Sequence, residues 1–307
     1  MRTDSLYATA LGAEKHYLVY LPPSYGLDST RRYPVAYYLH GLYGDETNWV
    51  KLGHLDAAMD SLIALGAPEM IVVMPDGDDG WYTTWNTMGD YAACVADSTR
   101  KEPAASYCVR WPHYDDYIAH DLVLHVDSVY RTIGDRAHRA IAGLSMGGYG
   151  AIALALEYPG IWSAAASHSG VLSPTYVGPH PFAGTPTYAS DFEEIEAQWA
   201  GEPKGVRWSS RQTAFGHDLP AWRSRDPAYR LRGLLEECPA PASPIPALYM
   251  DVGKSDGLAD DTRAFDAELT SLGVPHHYAE WPGTHSWEYW SAHVGESLAW
   301  IASHIAH

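Results

Sequence analysis

Three residue types that together can transfer an acyl group occur along this chain in a telling order: a serine between glycines, then an aspartate, then a histidine. Gly143-Leu144-Ser145-Met146-Gly147 fits G-x-S-x-G. A serine hydroxyl is a poor nucleophile at neutral pH, so it needs a base to take its proton and a further group to orient that base. Asp256, in Lys254-Ser255-Asp256-Gly257, and His285, in Gly283-Thr284-His285-Ser286, supply both in the order Ser, acid, His. Asp251 competes for the acid's place if its strand ends early, whereas Asp260 and Asp261 suit a helix start, where the dipole favours negative charge. His276 and His277 open a strand and His293 falls inside a helix, so neither place matches the loop that holds His285.

The same chemistry places negative charge on a carbonyl oxygen, and backbone N–H groups aimed at that oxygen stabilise it. The Met146 N–H follows the serine directly. A second donor is expected from the turn His40-Gly41-Leu42-Tyr43-Gly44, with Leu42 the first choice and Tyr43 the second. Gly41 and Tyr43 of that turn, with Tyr82, Trp85 and Trp287 in neighbouring loops, are the expected substrate-binding residues.

These residues need a scaffold that brings loops distant in sequence to one edge. Residues 16–22, 33–40, 70–75, 138–143, 164–170, 246–253 and 275–281 are short runs rich in Val, Tyr, Leu and Ala, bounded by Pro or Gly, and predict strands. Between them, residues 54–66, 114–130, 148–158, 260–273 and 286–305 carry helical spacing. Strands alternating with helices predict an α/β architecture, a mostly parallel sheet covered on both faces. Ser145 then sits in a sharp strand-to-helix turn, and Asp256 and His285 lie past the ends of two later strands. Residues 172–245 break the rhythm with many Pro, Gly, Trp and charged residues. They predict an insertion within a single domain spanning 1–307: a cap, or lid, over the catalytic edge, whose Phe182, Trp199, Trp208, Phe215 and Trp222 would bury against the cleft, or else a long surface loop that packs its own aromatics away from the site.

Composition narrows the function classes. Twenty Lys+Arg against 38 Asp+Glu give a net charge of −18, which disfavours nucleic acid and anionic membrane surfaces as partners. No apolar run is long enough to span a bilayer, and the first residues lack a signal-peptide pattern. Cys94 and Cys108 either bridge, which points to a secreted or periplasmic setting, or stay reduced with Cys238, as in a cytoplasm. Asp76-Gly77-Asp78-Asp79-Gly80 lacks the spacing and terminal Glu of an EF-hand and reads as a polar loop. His120 and His125 lack zinc-hydrolase spacing, and no glycine-rich nucleotide motif follows a strand, so neither metal nor cofactor is expected.

HGLYG, MPDGDDGWYTTW, YDDYIAHDLVLHVDSVYRT, HRAIAGLSMGGYGA and GTHSWEYW together resemble the putative-esterase family, over most of residues 10–175 and again about 225–305. That family includes feruloyl and acetyl-xylan esterases, tributyrin esterases, S-formylglutathione hydrolases and mycolyltransferases. The resemblance implies an α/β-hydrolase fold, Ser145, Asp256 and His285 as a catalytic triad, and the N–H groups of Leu42 and Met146 as the oxyanion hole. It implies a small-molecule or polysaccharide-linked ester as substrate, feruloyl-type or short-chain. S-formylglutathione hydrolysis and acyl transfer to a sugar are rivals of the same chemistry, and a non-catalytic binding module that has kept the fold is a rival of another class. The stretch 92–111 is longer than the family's usual connection, and 176–225 aligns with nothing in it.

Overall fold

The computed structural model describes residues 1–85, 91–98, 104–199, 206–238 and 245–305, the side chains of 105–106 and 206–209 excepted. Eight strands form one sheet: β1 (Arg2–Ala8), β2 (Ala13–Tyr20), β3 (Val35–Leu39), β4 (Ile71–Pro75), β5 (Arg139–Leu144), β6 (Ala164–His168), β7 (Ala247–Gly253) and β8 (His276–Trp281). Their order across the sheet is β1-β2-β4-β3-β5-β6-β7-β8. Strands β3 to β8 run parallel, and β1 and β2 add an antiparallel edge. This is the α/β-hydrolase fold. Seven of the strands lie where the apolar runs predict them. The edge strand β1 was not among those expected, because its alternating polar residues leave one face exposed and no continuous apolar run to read.

The central strands are buried throughout, since helices cover both faces of the sheet. The helices Leu55–Ala64 and Trp287–Ile305 pack on one face. Met146–Glu157, Pro227–Glu237 and Ala259–Ser271 pack on the other, with the Tyr114–Val129 stretch, which carries a π-helical section over Tyr117–Leu122. Parallel register puts the carboxyl ends of β3, β4, β5, β7 and β8 on one edge. The loops holding His40–Gly44, Asp76–Trp85, Ser145, Asp256 and His285 all leave from there.

Residues 172–245 are more regular than their sequence suggests. They contain the helices Phe192–Trp199, Val206–Phe215, Leu219–Arg225 and Pro227–Glu237, and Asp218 and Asp226 cap the last two through their side chains. The aromatics of the segment mostly pack among themselves and on the domain. Phe215 meets Tyr149, Trp81 and Trp222; Phe182 meets Tyr176; Trp199 lies under the Arg211 guanidinium. The side chain of Trp208 lies outside the described residues. Cys94 and Cys108 are joined by a disulfide, and Cys238 is exposed and unbridged. Among the described residues no helix is long and apolar enough to cross a membrane.

Candidate active site

From Arg139 to Leu156 every residue is buried except Ser145. The turn that lifts it out is strained: Ser145 has φ 53° and ψ −116°, outside the region an ordinary residue prefers. Its N–H is held by the His168 carbonyl at 2.9 Å. The flanking glycines are needed for close approach. A Cβ on Gly143 would lie 2.3 Å from the Gly147 carbonyl oxygen, and one on Gly147 would lie 2.4 Å from that of Leu39. Strand, turn and helix therefore pack backbone to backbone, and the serine is left as the exposed apex.

The Ser145 hydroxyl donates to His285 Nε2 at 2.9 Å. On the other side of the ring, Nδ1 lies 3.0 and 3.1 Å from the two carboxylate oxygens of Asp256. The Asp256 side chain is fully buried, and its Oδ1 also accepts the Leu258 N–H at 2.8 Å. The His285 ring is 29% exposed and packs edge-on against Trp290. The three residues expected from order alone are thus brought into one hydrogen-bonded relay. The rival Asp251 lies elsewhere, buried beside His168 and accepting the Tyr289 hydroxyl.

Of the two expected oxyanion donors, Met146 directly follows the serine and Leu42 lines the same cavity. Met146 opens its helix, and the Leu42 N–H has no acceptor among the described residues. The second-choice donor, Tyr43, is already committed: its N–H donates to Asp79 Oδ1 at 2.7 Å. The relay opens into a cavity of about 220 Å³. Of the expected substrate-binding residues, Gly41, Tyr43 and Trp287 line it, as does Leu42. Tyr82 and Trp85 do not. Tyr82 is buried, with its hydroxyl on the His40 carbonyl, and Trp85 donates to the Gly80 carbonyl and packs on Tyr114. Left-handed backbone at both Trp81 and Tyr82 turns the loop so that Trp81 takes the wall position instead.

Residues that sequence reasoning missed complete the wall: Asn48, Val171, Arg211, Leu258 and Trp290. Trp290 was within reach of sequence, since it stands one helical turn after Trp287. Arg211 was not, because it comes from a mostly polar helix in a segment remote in sequence from the other wall residues.

The Asp76–Gly80 loop is built around a buried ammonium. Lys15 Nζ, fully buried on β2, lies 2.8 Å from both Asp76 Oδ2 and Asp78 Oδ1. Burial opposes ionisation of Asp76, but the His40 ring and Lys15 outweigh it and hold this carboxyl well below its ordinary range. Burial pushes Asp78 up to about 6, with the Asp76 charge adding to the shift and Lys15 opposing it. Elsewhere, His113, Asp115 and Asp116 bring ligand-type atoms within 4.8 Å of one another, but Asp115 Oδ1 already accepts the Thr84 hydroxyl.

The family model described as "Putative esterase" matches residues 8–301. The chain belongs to the putative-esterase family. It is 28% identical over 290 residues to Esterase Rv1288 of Mycobacterium tuberculosis, covering 90% of this chain and 54% of that protein. It therefore spans about half the length of that curated relative. It is also 23% identical over 267 residues to an acetyl esterase of Caldicellulosiruptor saccharolyticus, covering 87% of this chain and 82% of that one. Among solved structures, a ferulic acid esterase superposes with a TM-score of 0.65 at 26% identity, covering 98% of this chain and 97% of that chain. The fluorophosphonate-binding serine hydrolase FphF of Staphylococcus aureus superposes at 0.71 with 22% identity, over 98% and 97% of the two chains.

Proposed function

We propose that this protein hydrolyses carboxylic esters through an acyl-enzyme on Ser145. The observation that carries the proposal is the Ser145–His285–Asp256 relay opening into the cavity. Ser145 Oγ attacks the ester carbonyl as its proton passes to His285 Nε2. Asp256 holds the imidazole in the tautomer that can accept that proton and stabilises the imidazolium. The oxyanion rests on the N–H groups of Leu42 and Met146. Collapse expels the alcohol, which takes its proton from His285. Water then repeats the sequence on the acyl-enzyme and releases the acid.

The preferred substrates are feruloyl-type aromatic or short-chain acyl esters. Three indoles, Trp81, Trp287 and Trp290, stand in the wall, and the half-buried Trp287 offers the most apolar surface to an aromatic acyl group. The 26% likeness to a ferulic acid esterase over nearly the whole chain supports the same choice. The segment 172–245 acts as the cap in this reading and reaches the cavity through Arg211. The disulfide Cys94–Cys108 suits a protein that works in an oxidising compartment.

Steady-state hydrolysis of methyl ferulate, p-nitrophenyl acetate and S-formylglutathione, each with and without a sugar acceptor, tests the reading. The expected result is release of ferulate that needs no acceptor and is abolished in Ser145→Ala. Turnover confined to S-formylglutathione, or product only with an acceptor, would replace the substrate assignment. No turnover of any ester would overturn the reading.

A further inference from the structure

The acidic loop after β4 contributes no group to the relay, yet it is tied at many points to the turn that carries Leu42. The Gly77 N–H donates to His40 Nε2 at 2.9 Å, and the Tyr82 hydroxyl donates to the His40 carbonyl at 3.1 Å. Asp79 Oδ1 takes the Tyr43 N–H at 2.7 Å, and this is the one hydrogen bond of the Asp79 side chain among the described residues. Tyr43 is held there at φ 64°, a left-handed conformation that a bulky non-glycine residue rarely adopts unless something fixes it.

Asp79 is itself presented by an anchored loop. Lys15 Nζ clamps Asp76 and Asp78 on either side of Gly77, the Tyr114 hydroxyl donates to Asp78 Oδ2 at 2.9 Å, and the Tyr117 hydroxyl reaches the Asp76 carbonyl. Asp78 is also left-handed, at φ 48°, so the chain reverses at that point and turns Asp79 toward the β3 turn. Rotating the peptide that carries the Tyr43 N–H would break the Asp79 bond. It would also swing the Leu42 carbonyl and disturb the preceding peptide, whose N–H belongs to Leu42. One carboxylate thus occupies the second-choice donor and fixes the direction of the first.

We infer that Asp79 is a positioning residue for the oxyanion site: by accepting the Tyr43 N–H it aims the Leu42 N–H at the substrate oxygen. The inference rests on the reading of Ser145 as nucleophile and Leu42 as oxyanion donor. The residue touches neither the relay nor the substrate cavity and acts through the backbone alone. A group of this kind should matter more for the tetrahedral state than for the bound ester, because that oxygen gains its charge only on attack.

The test compares Asp79→Ala, Asp79→Asn and Ser145→Ala in the full chain, using p-nitrophenyl acetate turnover and inhibition by a trifluoromethyl ketone, whose adduct with a serine carries the same oxyanion. Asp79→Ala should lower kcat about 10- to 100-fold with KM within about 3-fold, and should weaken the ketone by a similar factor. Asp79→Asn keeps a side-chain oxygen that can accept the Tyr43 N–H and should restore most of both losses. Asp79→Ser, whose shorter hydroxyl falls short of that N–H, repeats the test should the alanine variant fold poorly. Wild-type kcat and ketone affinity in the alanine or serine variant would overturn the inference. So would equal losses in the asparagine and alanine variants, which would mean that the charge or the loop's stability matters rather than the accepted bond. Activity surviving in Ser145→Ala would instead overturn the parent reading, and the two failures are told apart in the same assay.

Discussion

Among the described residues two Ser–His–Asp sets come together, and only one of them is hydrogen-bonded throughout and faces a cavity. Ser145, His285 and Asp256 meet at the carboxyl edge of the sheet. Ser297, His168 and Asp251 meet inside the core. There, His168 Nε2 lies 2.8 Å from Ser297 Oγ, and His168 Nδ1 lies 2.7 Å from Asp251 Oδ2. The distances are nearly the same, but the close His168–Asp251 approach lacks hydrogen-bond geometry, and the surroundings differ. Ser145 sits on a strained turn and lines the cavity, and the His285 ring is partly exposed. Ser297 lies within the Trp287–Ile305 helix, its hydroxyl shared with Tyr38 and the Val294 carbonyl, and both His168 and Asp251 are completely buried. Contact between three residue types is therefore not what makes a nucleophile. Access to a cavity and an unbroken chain of hydrogen bonds separate the two sets. The buried one serves to tie β3, β6, β7 and the last helix together, and it supports the edge indirectly, since the His168 carbonyl holds the Ser145 N–H.

Substitutions should divide the two sets sharply. Ser145→Ala and His285→Ala should abolish measurable turnover, and Asp256→Asn should lower kcat on the order of 10⁴-fold. Ser297→Ala should stay within a few-fold of wild type when kcat is measured on the folded fraction. A comparable loss in Ser297→Ala would erase the distinction.

Next in size is the cost of opening the buried set. Asp251→Ala leaves His168 without its neighbour in a dry core and should lower unfolding free energy by about 3 kcal/mol, read from denaturant titration, with little effect on kcat. An unchanged midpoint would mean that the core network contributes no stability.

A third contrast uses an acid with no place in either set. Asp226 is fully buried where it caps a helix and accepts from Thr175. Burial pushes its pKa up to about 6, against hydrogen bonds from Thr175 and Ala228 that favour the anion. Because the folded value lies above the unfolded one, the stability this group contributes is full below about pH 4 and is lost as the pH rises through about 6. Wild type should therefore gain up to about 3 kcal/mol relative to Asp226→Asn as the pH falls from 7.5 to 4. A difference that does not move with pH would show that the carboxyl titrates as in the unfolded chain.

The smallest effect concerns the cavity wall. Trp81→Ala removes an indole next to Arg211 and should lower the feruloyl-to-acetyl ratio of kcat/KM by about 10-fold, as expected for lost apolar contact. An unchanged ratio would place the acyl group elsewhere.

Much of this was legible in the sequence because parallel strands carry continuous apolar runs. Once β5, β7 and β8 are recognised, the ends that must bear Ser145, Asp256 and His285 follow. The polar edge strand β1 and the helices of 172–245 were not legible, since β1 alternates and those helices are short and carry few apolar residues among many charged ones. The wall was half legible. Trp287 was found because a position just past the end of β8 on the right edge suffices, whereas Tyr82 and Trp85 were misplaced. Two left-handed residues invert the facing of that loop, and no residue pattern announces them. The second set was invisible, because His168, Asp251 and Ser297 meet only through strand register and the packing of the last helix.

The central claim is that Ser145 alone among these serines is an activated nucleophile. Labelling the folded protein with a fluorophosphonate and locating the adduct by peptide mass spectrometry tests it most directly. The account predicts one adduct, on Ser145, retained in Ser297→Ala and lost in Ser145→Ala and His285→Ala. An adduct on Ser297, or labelling that survives in Ser145→Ala, would contradict it.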